Sequence, residues 1–261
     1  MINKICHFSD LHIRLFKDHD LYRSILTDML SQFRELNPDR IVFTGDLVQS
    51  KNQISPEMVR FVTWLLTECS DIAKTIIMPG NHDALINNLT RLDALTPIIQ
   101  AMNNPNVSYY RDMGVYEDEN VSWCVYSQFQ GNMPPDIYYA EGEYKIGLFH
   151  GLVQGLKTDQ NFKINNSGHD VSVFEGLDFV LCGDVHRRST FDIPNGKKGV
   201  MIGSCIQQNN GESVHGHGFG VLTLDDMNYE FFDLDNPRPY LSFKITSYDD
   251  ILNEVEKLVN G

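Results

Sequence analysis

Residues 74–83 read KTIIMPGNHD. The apolar run is continuous, without alternation, which is the pattern of a strand buried on both faces in a parallel α/β sheet. It breaks at Pro79-Gly80 and delivers three polar residues at once, Asn81, His82 and Asp83. A turn can use one Gly or Asn at such a break, but it does not call for this four-residue set. The same unit occurs twice upstream. KICHFSD and RIVFTGD are short apolar runs that also end in polar residues. Between them, DLYRSILTDMLSQFREL carries Leu21, Ile25, Met29 and Phe33 at helical spacing and stops before Asn37-Pro38. SPEMVRFVTWLLTEC is a second helix, with Ser55 as N-cap, Pro56 at the first position and Glu57 in the first turn. Strand, helix, strand, helix, strand implies right-handed crossovers and parallel pairing. A third helix is expected over about 88–103.

After that helix the texture changes. VSYY, GVYED, VSWCVYS, YKIGLFHG, DFVLCGD, GVMIGS, GFGVLTL and YEFFDLD are short, aromatic and β-branched, with Gly, Asn, Asp and Pro between them. The second half is therefore strand-rich. The expected fold class is α/β, a β-sandwich flanked by helices. Residues 1–235 form the core; residues 236–261 form a connector and an amphipathic C-terminal helix, SYDDILNEVEKLVNG. No internal repeat is present.

The chain has 261 residues, 42% hydrophobic and 21% charged, enough apolar material for a sizeable core. Its five cysteines are scattered and form no CxxC pair, which argues for reduced core thiols and against a disulfide framework or a zinc cage. With no signal-peptide pattern and no apolar run long enough for a bilayer, the expectation is a cytoplasmic protein with no membrane partner. The net charge of −14 argues against a generally basic nucleic-acid binder. It does not describe a cleft, because carboxylates that hold cations are neutralised in the folded site.

In parallel α/β sheets the carboxyl ends of the strands share one edge, where ligands bind. The three early strand ends supply Asp10, His12, Asp46, Asn81 and His82. Two later ones, IGLFHG and FVLCGD, supply His150, Asp184 and His186. Taken singly, a Gly-Asp or an Asp-x-His after a strand is an ordinary turn. Together they make seven oxygen and nitrogen ligands plus His82. Such a thiolate-free set suits Mn²⁺, Fe²⁺ or Zn²⁺, and it is too large for one ion. Two ions about 3.5–4 Å apart clamp a phosphoryl group. Asp46, on the central strand, is the natural bridge.

These ordered motifs, D-x-H (Asp10, His12), GD (Gly45, Asp46), GNHD (Gly80 to Asp83), His150 and GDVH (Gly183 to His186), resemble those of the calcineurin-like metallophosphoesterase superfamily. The resemblance implies a four-layer α/β/β/α sandwich with two metals. Asp10, His12, Asp46 and His186 would hold one ion. Asp46, Asn81, His150 and Asp184 would hold the other. His82 would be a general acid oriented by Asp83, a role that suits an imidazole beside a carboxylate. Asp184 stands where the superfamily more often has His; a hard oxygen there is expected to tilt the site toward Mn²⁺ over Zn²⁺.

Within the superfamily, GDLVQSK lacks the arginine of the protein-phosphatase motif. HFSDLHI near the start, IVFTGDLV followed by ISPEMVRFV, TIIMPGNHD, GVMIGSCIQ and FFDLDNPRPYLSFKI are similar to the SbcD-type DNA-repair exonucleases. That resemblance implies a metal-dependent DNA nuclease, with two Mn²⁺ (or Mg²⁺, Fe²⁺ or Zn²⁺), cutting duplex ends as an exonuclease and single strands or hairpins as an endonuclease. It implies DNA and an SbcC-type SMC-like ATPase as partners, with a homodimer as one arrangement. Arg14, Arg187 and Arg188 are the basic residues expected on DNA phosphate. His215-Gly216-His217 repeats the H-x-H spacing, but it follows NNGESV instead of a buried strand and is read as a loop near the site. The alternatives are a small-molecule or cyclic-nucleotide phosphodiesterase with the same metal chemistry, or a metal-free binding module.

Overall fold

The computed structural model describes residues 1–88 and 90–242. The expected C-terminal helix lies outside the described residues. The first sheet is built on β1 (Lys4–Phe8), β2 (Arg40–Thr44), β3 (Lys74–Met78) and β4 (Val107–Tyr109), which pair in parallel in that order. Two helices, α1 (His19–Leu36) and α2 (Pro56–Ile72), make the first two crossovers, and α3 (Thr96–Met102) precedes β4. The second sheet contains β5 (Gly114–Asp118), β6 (Val121–Tyr126), β7 (Tyr144–His150), β8 (Phe179–Gly183), β9 (Ser189–Ile193) and β10 (Lys197–Met201). Strands β6, β7, β8 and β10 run parallel, and β5 and β9 close its edges antiparallel. The chain then returns to the first sheet: β11 (Gly218–Thr223) pairs antiparallel to β1, and β12 (Asn228–Asp233) to β11.

The continuous apolar runs follow from burial on both faces. Alternate residues of one strand serve different layers. In β2, Ile41 and Phe43 pack under the helices with Met29, Phe33 and Leu65, whereas Val42 packs between the sheets with Ile5, Trp123, Leu148 and Leu181. The result is the expected α/β sandwich of two mixed sheets with flanking helices. Among the described residues, the outer face of the second sheet is covered by loops and the 3₁₀ turn Val171–Phe174, packed on Tyr126, Phe149 and Cys182. All five cysteines are buried and free, and burial pushes the Cys6 and Cys205 thiols up to about 12. Among the described residues no helix is long and apolar enough to cross a membrane.

The third helix is shorter than the expected 88–103, beginning at Thr96. Asp93 sets this start. Its carboxylate accepts from the backbone nitrogens of Leu95 and Thr96 at 2.9 and 2.6 Å and from Thr96 Oγ1 at 2.6 Å. These bonds satisfy donors that a longer helix would have used internally.

Candidate metal centre

The ends of β1, β2, β3, β7 and β8 converge, so five strands from both sheets feed one cluster. The backbone leaves each strand abruptly. Asp10, His12, Asp46 and Asp184 all have positive φ, from 48° to 99°. Left-handed backbone at non-glycine residues costs of order 1–3 kcal/mol each and gathers at functional sites. Gly80 is needed for a different reason: a Cβ there would collide with Asp46 Oδ1 and with His150 Nε2.

Asp46 sits between two imidazoles. Its Oδ2 is 3.6 Å from His12 Nε2 and 3.4 Å from His150 Nε2, while Oδ1 accepts from the His82 backbone nitrogen at 2.8 Å. Asp10 Oδ1 lies 3.8 Å from both His12 Nε2 and His186 Nε2. Asp184 Oδ1 is 3.7 Å from His150 Nε2. The acidic and imidazole atoms group as Asp10/His12/His186 and Asp10/Asp46/His150, each within 4.8 Å. His12, Asp46 and His82 form a third such group.

Several of these atoms have no protein partner. His150 Nδ1 is 2.6 Å from the Thr44 carbonyl, which makes it the donor and leaves a lone pair on Nε2. That Nε2 is buried and unpartnered, as is Asn81 Oδ1. Buried polar atoms are normally satisfied, so an unpaired nitrogen and an unpaired amide oxygen beside three carboxylates fit a cation. The Nε2 atoms of His12 and His186 are only 3.1 Å apart, a close approach that a shared cation accounts for.

Charge tells the same story. Burial alone would lower His186, but the Glu212 hydrogen bond and Asp10 push it up to about 9. Burial is likewise outweighed at His150, which Asp46 raises well above the usual imidazole value. Burial opposes ionisation of Asp46, yet His150 and His12 hold its carboxyl well below the usual range. Burial, with Asp10 and Asp46 nearby, raises Asp184. The carboxylates that favour a positive charge on these imidazoles would favour a divalent cation in its place, whose binding releases the protons and frees the ring nitrogens as ligands.

One expectation is corrected. Asp83 does not touch the His82 ring. Its carboxylate accepts from the backbone nitrogens of Gly80, Asp46, Leu47 and Val48 at 2.8 to 3.2 Å, tying two ligand loops together. The His82 ring is instead held by the Gln49 carbonyl, 2.8 Å from Nδ1. The three arginines expected on DNA all have partners within the chain. Arg188 pairs with Asp233 and donates to the Phe232 carbonyl at 2.8 Å, and Arg14 donates to the Gln208 carbonyl at 2.9 Å and pairs with Asp18 at 3.2 Å. Arg187 borders the site, bound to Asn161 Oδ1 at 2.7 Å.

Sequence reasoning missed Glu212. Its Oε1 is 2.8 Å from His186 Nδ1, and Oε2 accepts from Gln208 N and Ser204 Oγ. It also missed Lys51, whose Nζ donates to the Asn81 carbonyl at 2.7 Å, and Asn132, which donates to the His150 carbonyl at 2.8 Å. His217 is buried on Ser204 and Ser213, and both it and the exposed His215 line a pocket that His186 also borders.

Comparison with known proteins agrees with this picture. The family model described as calcineurin-like phosphoesterase matches residues 3–188. An uncharacterized protein of Acanthamoeba polyphaga mimivirus is 33% identical over 270 residues, covering 98% of this chain and 20% of the viral protein. The chain thus spans about one fifth of the length of that relative. The crystal structure of TT1561 of Thermus thermophilus superposes with a TM-score of 0.57 at 14% identity, covering 91% of this chain and all of that one, a likeness of fold.

Proposed function

The chain belongs to the calcineurin-like phosphoesterase family, and on that premise we propose that it is a metal-dependent DNA nuclease that hydrolyses phosphodiester bonds with two divalent cations. The observation that carries this reading is the pairing of unpartnered buried ligand atoms, His150 Nε2 and Asn81 Oδ1, with a carboxylate, Asp46, placed between two imidazoles. Asp10, His12, Asp46 and His186 would hold one cation, and Asp46, Asn81, His150 and Asp184 the other. Bound there, the pair would clamp the phosphoryl oxygens and make water a competent nucleophile near neutral pH. The rest is done by the chain itself. His82 is aligned by the Gln49 carbonyl at Nδ1, which leaves Nε2 to carry the proton for the departing oxygen. Asp83 clamps the loops that position Asp46 and Asn81.

The choice of DNA as substrate, Mn²⁺ as metal, a cytoplasmic setting and an SbcC-type SMC-like ATPase as partner rests on the likeness of the motif-flanking sequence to SbcD-type exonucleases. The engaged states of Arg14 and Arg188 favour a second reading, a phosphodiesterase of small or cyclic nucleotides. End-labelled duplex and hairpin DNA, incubated with Mn²⁺ or EDTA, tests between them. Cleavage that needs Mn²⁺ is expected. Turnover of a cyclic nucleotide with none of DNA, alone or with its ATPase, would replace the first reading by the second.

A further inference from the structure

A cleft of about 450 Å³ opens directly beside the cluster, with Asp184, Val185, His186 and Glu212 along its inner side. Its outer wall is the segment 156–163, which contributes Thr158, Asp159, Gln160 and Phe162. This segment is a tight hairpin. Lys157 and Lys163 pair across it as an antiparallel bridge, Ile164 N bonds Leu156 O at 2.8 Å, and Thr158 N bonds Phe162 O at 3.0 Å. Arg187 braces the tip through Asn161 Oδ1 and the Thr158 carbonyl. At this braced tip Phe162 is 67% exposed.

A large aromatic ring held in water by a rigid hairpin has no packing role in the chain's own core. Its surroundings define what it suits. Lys157 and Lys163 are exposed beside it, and Arg187 stands at its base, a local basic group on a chain of net charge −14. Across the cleft, an added Cβ on Gly211 would lie 2.9 Å from Asn209 Oδ1 and 3.6 Å from Gln160 Nε2, so the two walls come close at this point. The Asp159 carboxylate and the Gln160 amide, which line the same cleft, offer an acceptor and a donor. An aromatic face flanked by cations, with hydrogen-bonding groups in the same cleft, is the chemistry that binds an unpaired nucleobase.

We propose that hairpin 156–164 is a base-stacking finger. Phe162 receives an unpaired nucleobase of a nucleic-acid strand whose neighbouring phosphodiester lies at the cluster. The inference rests on the phosphodiesterase reading and adds a substrate class to it: strands with a splayed or single-stranded base are favoured over base-free phosphodiesters.

The test uses the full chain with Mn²⁺ and three substrates: an eight-residue oligothymidylate, a 3′,5′-cyclic nucleotide, and methyl p-nitrophenyl phosphate, which has no base. For Phe162→Ala, the ratio of kcat/KM on the oligonucleotide to that on the base-free ester is expected to fall about 5- to 100-fold, the worth of one base–aromatic stack. Phe162→Trp should keep it. A ratio unchanged in Phe162→Ala overturns the proposal while leaving the phosphodiesterase reading intact. A ratio that falls for the cyclic nucleotide alone overturns the strand as ligand. If the wild-type protein cleaves none of the three, the functional reading fails separately. In that event, binding of an oligonucleotide carrying 2-aminopurine decides: quenching lost in Phe162→Ala supports the finger, and equal quenching in both proteins refutes it.

Discussion

Glu212 Oε1 lies 2.8 Å from Nδ1 of His186, and the same carboxylate is fixed by Ser204, Gln208 and Asn209. A carboxylate on one ring nitrogen settles the tautomer and aims the other nitrogen, here the Nε2 that faces Asp10 and His12. Loss of such a partner commonly weakens metal affinity 10- to 100-fold. Glu212→Gln should therefore weaken the tightest Mn²⁺ binding seen by calorimetry by about that factor, with the circular dichroism spectrum unchanged. Equal affinity in the two proteins would remove Glu212 from the site.

The position of His82 gives a sharper contrast. It is assigned the leaving-group proton, yet it also falls in a cluster with His12 and Asp46 that is compact enough for a metal. His82→Ala is expected to lower kcat by about 10²–10⁴ through loss of acid catalysis, with Mn²⁺ stoichiometry and affinity retained. A fall in bound metal from two ions to one would instead make His82 a ligand.

Much of this site was legible because each candidate ligand sits within a few residues of a buried strand, so apolar run plus polar exit is a local signal. Asp10, Asp46, His150 and His186 stand out in that way. What was not legible depends on contacts far along the chain. Glu212 meets His186 across 26 residues from a polar loop without periodicity. Arg188 looked free beside His186, but its partner Asp233 is 45 residues away on β12. Asp83 was assigned to its neighbour His82, whereas the backbone donors of the Gly45–Val48 turn, brought in from β2, compete more strongly for its carboxylate. The helix expected from residue 88 shortened because Asp93 captures the N–H groups at its start.

Asp83 is fully buried, and burial together with Asp46 pushes its carboxyl up to about 7 against the backbone donors that favour the ionised form. Asp83→Ala leaves the N–H groups of Gly80, Asp46, Leu47 and Val48 without their acceptor, each an unsatisfied buried donor costing about 1–3 kcal/mol before relaxation. The expected outcome is a loss of at least ~3 kcal/mol in urea unfolding, together with weaker metal binding, and only partial recovery in Asp83→Asn. A variant as stable as the wild type would show that the two loops hold without this clamp.

Asp184 supplies an oxygen where the family more often places His. With three carboxylates facing the cluster, the harder donor should favour Mn²⁺. Asp184→His is expected to shift competition between Mn²⁺ and Zn²⁺ toward Zn²⁺, read by metal content after dialysis against equal concentrations. An unchanged ratio would show that this side chain does not set the preference.

His7 provides the pH dependence. It is completely buried between the Tyr229 hydroxyl at 2.9 Å and Thr44 Oγ1 at 2.8 Å, and burial pushes its imidazole down to about 3. In the unfolded chain an imidazole titrates near ~6.5. Between these two values the unfolded state binds a proton that the folded state refuses, so stability rises with pH across that window. The contribution is complete above about 6.5 and is lost as pH falls toward 3, with a slope of up to about 1.4 kcal/mol per pH unit from this one group. Urea unfolding in EDTA at pH values spaced from about 4.5 to about 7.5, spanning the unfolded value, should therefore show a steeper acid limb for the wild type than for His7→Gln. The ligand carboxylates and imidazoles titrate in both proteins and cancel in the difference, so the residual slope belongs to His7. Parallel limbs would mean that His7 takes up its proton without unfolding the strand that carries it.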